Sequence, residues 1–307
     1  MADFKLLNYA GIAGEPRPGI LVGEDQIVDL QQATCGAAWA RTNIEALNNW
    51  DTSCAALHAI ADNPGETRPL ADVQLMAPLL FPPAIYCAGA NYKKHAMEMS
   101  ADKKTSPDKS VTNPYFFLKN GPHCVIGPDD EIKLPALSSM VDWEAEFAVV
   151  IGKPGKNISV ETAFEHVAGY TIMNDLSARD QGKRDDWPRF GVDWFGHKNF
   201  DTSAPMGPWI TPADQIADPY ECRMKLWVNQ DEMQNEVISD LIFDIAEQIE
   251  WVSRRFNLLP GDVFSTGTPS GVGRPRGIFL KPGDTVRITV DGIGELTNPV
   301  VQGGLDN

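Results

Sequence analysis

Alternating apolar and polar positions at the start of the chain predict a small β-rich N-terminal domain over residues 1–75. Short strands are expected where the alternation has a period of two, at residues 4–8, 19–22 and 27–30. Residues 48–62 follow a helical period instead, and this helix should stop at the chain-breaking Asn-Pro-Gly of residues 63–65. The first part of the chain is therefore expected to form a domain of its own.

From residue 80 to residue 307 the pattern predicts a larger, predominantly β domain. Apolar runs between Gly/Pro turns predict strands at residues 147–151, 169–173, 223–228 and 285–290. One helix should begin after Asp244, and its buried face should carry Ile245, Ile249, Val252 and Phe256. The polar segment 100–113 is expected to be a mobile surface loop that could act as a lid. The predicted fold class is mainly β with some α, that is, α+β.

The charge balance limits the partners of the chain. With 26 Lys and Arg residues against 42 Asp and Glu residues, the formal net charge is -16 at pH 7. Such a field repels phosphate backbones and anionic lipids, so neither nucleic acid nor a membrane is an expected partner. It also repels small dicarboxylates. An acidic substrate would therefore need a local cation, such as a bound metal ion.

Cysteine usage and the lack of targeting signals favour the cytoplasm. The five cysteines form no CxxC pair, and an odd number cannot all be bridged, which fits a reducing compartment. No apolar stretch approaches the ~20 residues of a membrane span, and the N-terminus lacks the pattern of a signal peptide. A cytoplasmic protein is therefore expected.

Two glutamates at the beginning of an apolar strand could converge on one ion. Glu144 and Glu146 are two residues apart, so on a strand they face the same side, and their charges repel unless a cation or proton lies between them. Asp175 follows another apolar run, at residues 170–174, and offers a third carboxylate. Three oxygen ligands favour Mg²⁺ first, then Mn²⁺ or Ca²⁺. The alternative is that the glutamates lie on the polar face of a half-exposed strand and that Asp175 caps a turn.

A histidine and a glutamate three residues apart form a candidate general base. If residues 89–99 contain a helical turn, His95 and Glu98 share one face, and the carboxylate would orient the imidazole and raise its basicity. The alternative is a surface ion pair. Lys198 and Arg179 are candidates to bind a carboxylate or a developing enolate, although taken singly each is more often a solvated charge.

The glycine-rich segment 265–273 is a candidate anion-binding turn. It lacks the GxxxxGK[ST] spacing of a nucleotide site. Its exposed amides and the Thr268 hydroxyl could instead hold a substrate carboxylate, with a purely structural turn as the alternative. No GxSxG elbow occurs, and no GxGxxG follows a strand, so a serine-nucleophile hydrolase and a dinucleotide-dependent enzyme have little support.

Eight motifs in a fixed order, from about residue 85 to the C-terminus, resemble those of the fumarylacetoacetate hydrolase family. They are GANYKKHAMEM, FFLKN, DWEAEFAVVIGK, YTIMNDLSARD, HKNFDTSAPMGPW, DLIFDIAEQIEW, LLPGDVFSTGTPSGVG and LKPGD. The resemblance implies a β-rich roll, usually dimeric, that holds Mg²⁺, Mn²⁺ or Ca²⁺ at its mouth. It also implies chemistry on 2,4-diketo acids, oxaloacetate-like acids or ring-cleavage products. A homodimer and a small keto-acid substrate are therefore expected.

Carried over by motif, the resemblance implies roles for the metal ligands, the dyad, Lys198 and Thr268, and Lys119 lies in a further family motif. The metal ligands are Glu144, Glu146 and Asp175, and the water-activating dyad is His95 and Glu98. Lys198 joins the dyad as a catalytic candidate, and the substrate-binding candidates are Tyr92, Arg179, Thr268 and Lys119. In many members a glutamine follows the ARD motif after one intervening residue, whereas Gly182 takes that place here. This departure weakens a decarboxylase assignment.

The leading hypothesis from the sequence is hydrolytic C–C cleavage of a 2,4-diketo acid to pyruvate, or an analogue, and a second carboxylic acid. His95 with Glu98 would deprotonate the attacking water, and the metal with Lys198 would stabilise the departing enolate. The alternative keeps the site but changes the reaction to decarboxylation or keto–enol isomerisation of an oxaloacetate-like or ring-cleavage acid. A third hypothesis is a metal-binding protein without catalytic activity.

Overall fold

The computed structural model describes residues 2–304. Up to residue 83, the described chain contains five strands, β1 (Phe4–Ala10), β2 (Pro16–Val22), β3 (Gln26–Asp29), β4 (Arg68–Pro69) and β5 (Leu75–Met76). It also contains three helices, α1 (Leu30–Ala33), α2 (Asn43–Leu47) and α3 (Trp50–Asp62). The strand expected at residues 27–30 ends one residue early, because Asp29 accepts a hydrogen bond from the Gln32 amide and so caps α1.

Between residues 84 and 304, fourteen strands and four helices follow. The first seven strands are β6 (Ile85–Ala88), β7 (Phe116–Lys119), β8 (Val125–Ile126), β9 (Ile132–Leu134), β10 (Val141–Asp142), β11 (Ala145–Ile151) and β12 (Val167–Asn174). The others are β13 (Ser177–Ala178), β14 (Ala204–Pro212), β15 (Arg223–Val228), β16 (Asp231–Val237), β17 (Val263–Ser265), β18 (Thr285–Val290) and β19 (Gly294–Gln302). The helices are α4 (Lys93–Met99), α5 (Gly121–Cys124), α6 (Trp194–Lys198) and α7 (Ile245–Ser253). The fold is mainly β with some α, as predicted.

Most of the described strands join one large mixed sheet. It has twelve strands, ten of which run in the order β4-β3-β2-β1-β14-β12-β11-β17-β6-β7, while β5 pairs with β1 and β8 pairs with β14. A five-stranded sheet has the order β16-β15-β18-β19-β9, and β10 pairs with β13 separately. In the large sheet β11 lies between β12 and β17 and is antiparallel to both.

The strand predicted at residues 147–151 is the centre of the fold. All seven residues of β11 are buried. Phe147 and Val149 pack in one core with the five-stranded sheet and α7, whereas Ala148 and Val150 pack in a second core with β1, β2 and α3. Because both faces are covered, the strand has a continuous apolar sequence rather than an alternating one.

The helix predicted after Asp244 is present as α7. Asp244 and Glu247 form a capping box at its N-terminus, in which each side chain accepts from the backbone amide of the other. The predicted inward face is buried as far as Val252, but the prediction for Phe256 is wrong. This ring is 51% exposed, because α7 ends at Ser253 and the helical spacing no longer applies. Neither α7 nor any other helix in the described part of the chain is long and apolar enough to span a membrane.

The N-terminal strands extend the large sheet of the rest of the chain. β1 runs antiparallel to β14, with Leu6 opposite Ile210. The core beneath contains residues from both parts, because Leu6 and Leu57 pack in the same cluster as Val150 and Met173. The division into domains at residues 1–75 and 80–307 stays a prediction. So does the lid role of the segment 100–113, which contains turns and no helix or strand.

Candidate active site

The three predicted metal ligands meet at one end of the large sheet. Glu144 and Glu146 lie at the beginning of β11, and Asp175 directly follows β12, its antiparallel neighbour. Antiparallel pairing brings the beginning of one strand to the end of the next, so residues distant in sequence become neighbours. One carboxylate oxygen of each residue lies within 4.8 Å of the other two, and all three side chains are buried.

Two buried cations bind the Glu144 carboxylate. Lys198 Nζ donates to Glu144 Oε2 and to Asp175 Oδ2, at 2.6 Å in both cases. Arg179 Nη2 donates to Glu144 Oε1 at 2.6 Å, and its Nε donates to Asp142 Oδ2 at 2.8 Å. Burial opposes ionisation of Glu144, but the charges of Lys198 and Arg179 outweigh it and hold the pKa of this carboxyl well below its usual range. Glu144 is therefore a carboxylate at neutral pH.

Glu146 receives hydrogen bonds from neutral groups. Its Oε2 accepts from the Ser265 hydroxyl and from the Gly267 amide, the latter at 2.9 Å. Burial, together with the negative charges of Asp175 and Glu144, raises the pKa of Glu146 well above its usual range. A further positive charge beside Glu146 is needed to hold it in the ionised form.

These residues fit a hard divalent cation. The cluster offers three carboxylates, and oxygen ligands are those that Mg²⁺, Mn²⁺ and Ca²⁺ take. Burial and like-charge repulsion raise the pKa of Glu146, and a cation among the three carboxylates would offset that repulsion and so favour the ionised form that binds a metal. The chemistry of the ligand set supports a divalent metal, while the choice of Mg²⁺ stays a prediction.

The predicted dyad is formed on α4. His95 Nδ1 lies 3.0 Å from Glu98 Oε1, and the Gly271 amide donates to both oxygens of Glu98 at 3.1 Å. An ionised carboxylate accepts hydrogen bonds and cannot donate them. In a neutral imidazole beside it, the proton is therefore on Nδ1. Nε2 is then the nitrogen that can accept a proton from another molecule.

Glu144, Glu146 and the dyad histidine border one cavity of about 170 Å³, while Asp175 lies buried behind its lining. The predicted residues in its lining are His95, Glu144, Glu146, Arg179, Lys198 and Thr268. Phe117 and Trp194 also line it, and their rings stack with centroids 4.9 Å apart. A water molecule occupies about 30 Å³ of liquid, so this volume suits an organic acid of a few carbon atoms.

Two substrate-binding candidates are buried outside the cavity lining. Lys119 Nζ lies 3.0 Å from Asp175 Oδ1 and donates to the Leu176 carbonyl at 3.0 Å, and its side chain has no exposed area. Tyr92 is 1% exposed, and its hydroxyl has no hydrogen-bond partner within residues 2–304. Lys119 therefore positions Asp175. Substrate contact by Lys119 or Tyr92 stays a prediction.

The amides of the glycine-rich segment 265–273 serve the protein's own carboxylates. Gly267, Gly271 and Gly273 donate to Glu146, Glu98 and Asp142 at 2.9, 3.1 and 2.6 Å, respectively. The expectation that the segment offers free amides to a substrate carboxylate is therefore wrong for these three. The segment instead connects the triad, the dyad and the Arg179 ion pair, and so fixes their relative positions.

Three residues around the cavity escape the sequence analysis. Gln234 of β16 accepts from the Ala145 amide at 2.9 Å and donates to the Thr268 hydroxyl at 2.8 Å, but nothing in its local sequence marks it. His197 lines the cavity, and burial with the charges of Lys198 and Arg179 lowers its pKa to about 2, so it is neutral.

Arg274 also lines the cavity. Its side chain is exposed, and its guanidinium has no carboxylate partner among the described residues. Its place directly after the glycine-rich segment is a signal that the sequence does offer.

The fold and the carboxylate triad define a β-rich protein with a candidate divalent-metal centre. A family model described as fumarylacetoacetate (FAA) hydrolase C-terminal matches residues 84–301. The chain therefore belongs to the fumarylacetoacetate hydrolase family, and the resemblance inferred from the motifs is confirmed. Members of this family are enzymes.

Relatives of the chain are named for different reactions. It is 41% identical over 233 residues to the mitochondrial oxaloacetate tautomerase of Xenopus laevis, covering 75% of this chain and 69% of that protein. A crystal structure of maleylpyruvate hydrolase from Sphingobium sp. SYK-6, in complex with Mn²⁺ and pyruvate, is 33% identical with a TM-score of 0.77. The match covers 98% of this chain and all of that one. A 2-hydroxyhepta-2,4-diene-1,7-dioate isomerase from Mycobacterium marinum is 34% identical with a TM-score of 0.73, covering 98% and 99%.

Proposed function

We propose that the chain is a metal-dependent enzyme that transfers a proton at the carbon next to the keto group of a small 2-keto acid. The leading reaction is keto–enol tautomerisation of an oxaloacetate-like acid. Several relatives at 35% to 41% identity, among them the Xenopus protein, are named oxaloacetate tautomerases. This order differs from that of the sequence analysis, where C–C hydrolysis leads and isomerisation is the alternative.

One observation carries the proposal. His95 lines the same cavity as Glu144 and Glu146 of the carboxylate triad, and its Nδ1 lies 3.0 Å from Glu98 Oε1. A histidine oriented in this way can remove a proton through Nε2 and return it to another atom of the same molecule. Keto–enol tautomerisation requires only these two transfers, so one base in a small cavity is sufficient.

Glu144, Glu146 and Asp175 would hold the metal ion. When bound, a divalent cation supplies Lewis-acid chemistry, because it polarises a keto oxygen and attracts the neighbouring carboxylate. Lys198 also lines the cavity. Its ammonium has three N–H donors and uses two on Glu144 and Asp175, so the third can donate to an oxygen on which negative charge develops.

Hydrolytic C–C cleavage is the second candidate. It is supported by the similarity to maleylpyruvate hydrolase along 98% of this chain. The same His95 would then take its proton from a water molecule rather than from carbon. The two reactions share enolate stabilisation by Lys198 and differ in the group that His95 deprotonates.

Parallel assays on the metal-loaded protein distinguish the candidates. Oxaloacetate and an acylpyruvate are supplied separately, and enol absorbance, pyruvate and CO₂ are each followed. Faster enol–keto exchange of oxaloacetate without pyruvate or CO₂ supports the tautomerase, and pyruvate from the acylpyruvate supports the hydrolase. Pyruvate and CO₂ from oxaloacetate would show the decarboxylase alternative. Activity that survives both a chelator and His95→Asn would contradict the proposal.

The identity of the metal, the oligomeric state and the location in the cell are part of the proposal. Mg²⁺ as the metal, a homodimer and a cytoplasmic location stay predictions, and the Xenopus relative is named mitochondrial. A small keto-acid as substrate fits the volume of the cavity, about 170 Å³.

A further inference from the structure

A second group of side chains that could bind a metal shares no residue with the candidate active site. Cys54 and His58 are four residues apart on α3 and so share one face of the helix. Asp214 lies in a short turn, Ala213–Gln215, directly after β14. One ligand atom of each residue lies within 4.8 Å of the other two.

The hydrogen bonds of His58 indicate that a positive charge belongs in this group. His58 Nδ1 lies 2.9 Å from the Ala2 carbonyl, which can only accept, so Nδ1 carries a proton. His58 Nε2 lies 3.0 Å from Asp214 Oδ2, a second acceptor. Both ring nitrogens therefore face acceptors, and a cation bound between Nε2 and Asp214 would accommodate the second of these contacts.

The surroundings of His58 resemble those of a histidine that binds a metal. The ring is buried and packs edge-on against Phe4, with centroids 4.9 Å apart. Its Nδ1–H donates to a backbone carbonyl, as the second nitrogen of a metal-binding histidine usually does. These contacts fix the ring orientation, so that Nε2 faces Asp214, and Cys54 offers a third ligand atom within 4.8 Å.

We propose that Cys54, His58 and Asp214 form a second metal site, selective for a thiophilic divalent cation, Zn²⁺ first. Thiolate and imidazole ligands select zinc over Mg²⁺, whereas the all-carboxylate active site has the opposite preference. The three residues line an open cavity of about 390 Å³, so water can complete a tetrahedral set. The cation would link α3 to the end of β14, and so the N-terminal part of the chain to the large sheet.

Zinc binding at this site must release protons. Burial, with the negative charges of Asp214 and Asp51, raises the pKa of Cys54 to about 11, so the free thiol is protonated at neutral pH. Binding breaks the S–H bond, forms a bond between Sγ and the metal, and passes the proton to the buffer. Any proton on His58 Nε2 is released in the same way.

Cobalt substitution tests the proposal without interference from the active site. The full chain is stripped of metal, supplied with excess Mg²⁺ for the carboxylate triad, and titrated with Co²⁺ under reducing, oxygen-free conditions. Thiolate bound to Co²⁺ gives near-ultraviolet charge-transfer absorption, which an all-oxygen site cannot give. We expect this absorption to saturate at one ion per chain, to vanish on addition of Zn²⁺, and to be lost in Cys54→Ser. The matched control Cys35→Ser removes an exposed cysteine and should keep it.

A measurement on the unaltered chain covers the case in which Cys54→Ser does not fold. X-ray absorption at the zinc edge should show one sulfur among nitrogen and oxygen neighbours. The proposal is overturned by a zinc shell without sulfur, by charge-transfer absorption that persists in Cys54→Ser, or by its loss in Cys35→Ser.

Discussion

Glu98→Gln tests whether His95 acts as the general base of the proposed reaction. In the structure both oxygens of Glu98 accept from the Gly271 amide, and one also contacts His95 Nδ1. A glutamine must turn its NH₂ group toward one of these two donors. It also removes the negative charge that stabilises a protonated imidazole. The substitution therefore weakens proton uptake at His95 and leaves the metal ligands untouched.

The expected loss is about 100-fold in kcat. General acid–base catalysis contributes roughly 10²–10⁴-fold, and the lower end applies because His95 itself remains. A 100-fold loss corresponds to about 2.7 kcal/mol in the activation free energy. KM should change little, since Glu98 is not among the residues that line the cavity.

Stopped-flow measurement of oxaloacetate enol–keto exchange gives kcat and KM, and calorimetry gives the metal affinity. Glu236→Gln is the matched control. Glu236, on β16, accepts a hydrogen bond at 2.5 Å from Lys94, which is on α4 like Glu98 but is exposed. Exposed ion pairs contribute about 0–1 kcal/mol, so this control should keep kcat. The reasoning is refuted if Glu98→Gln keeps kcat within about twofold. It is also refuted if Glu236→Gln loses as much, since the effect would then come from displacement of α4.

Further predictions concern the metal, the substrate and stability. Glu146→Gln removes one of the three candidate metal ligands. Losing a residue that only hydrogen-bonds to a ligand weakens metal binding ~10–100-fold, so losing the ligand itself should weaken Mn²⁺ binding, measured by calorimetry, by more than that. In the parent chain the same affinity should fall with falling pH, because protonation of Glu146, whose pKa is raised, competes with the metal. Arg274→Met should raise KM for a dicarboxylic keto-acid by roughly tenfold and spare pyruvate-like monoacids, since its guanidinium lines the cavity and has no carboxylate partner in the described part of the chain. Burial raises the pKa of Asp262 to about 6, against about 3.9 unfolded, so ionisation costs stability as pH rises through this window. The Tm of Asp262→Asn relative to the parent should therefore increase from about pH 4 to pH 7, and a constant difference would contradict the assignment.

Local patterns predict the strands, the glutamate pair and the dyad because the relevant distances are short in sequence, whereas the approach of Asp175 to the glutamates depends on the pairing of β11 with β12. The two-residue spacing of Glu144 and Glu146 holds on any strand, and the three-residue spacing of His95 and Glu98 holds on any helix. The continuous apolar run of β11 also predicts a strand covered on both faces.

The partners of these residues are not predictable from local sequence. The Gly271 amide reaches Glu98 across a separation of 173 residues, and Gln234 reaches Ala145 across 89. Both contacts depend on which strands pair, and no period within a single strand contains that information. The pairing of β1 with β14 belongs to the same class, since an alternating pattern predicts a strand but not its neighbour.

Charge explains how so acidic a chain could accept an acidic substrate. Around the cavity four buried carboxylates, those of the triad and Asp142, face three buried cations, Lys198, Arg179 and Lys119. When Glu146 is ionised, these seven groups carry one excess negative charge. Burial and the charges of Asp175 and Glu144 raise the pKa of Glu146 and so oppose its ionisation. A divalent cation would reverse the sign to a net positive charge in a site screened little by solvent, where Coulomb attraction is strongest. The net charge of -16 repels a keto-acid dianion at long range, whereas the metal-loaded cavity would attract it at short range. Anion binding should therefore depend on the metal, and small 2-keto acids such as pyruvate should bind to the loaded chain and not to the stripped one.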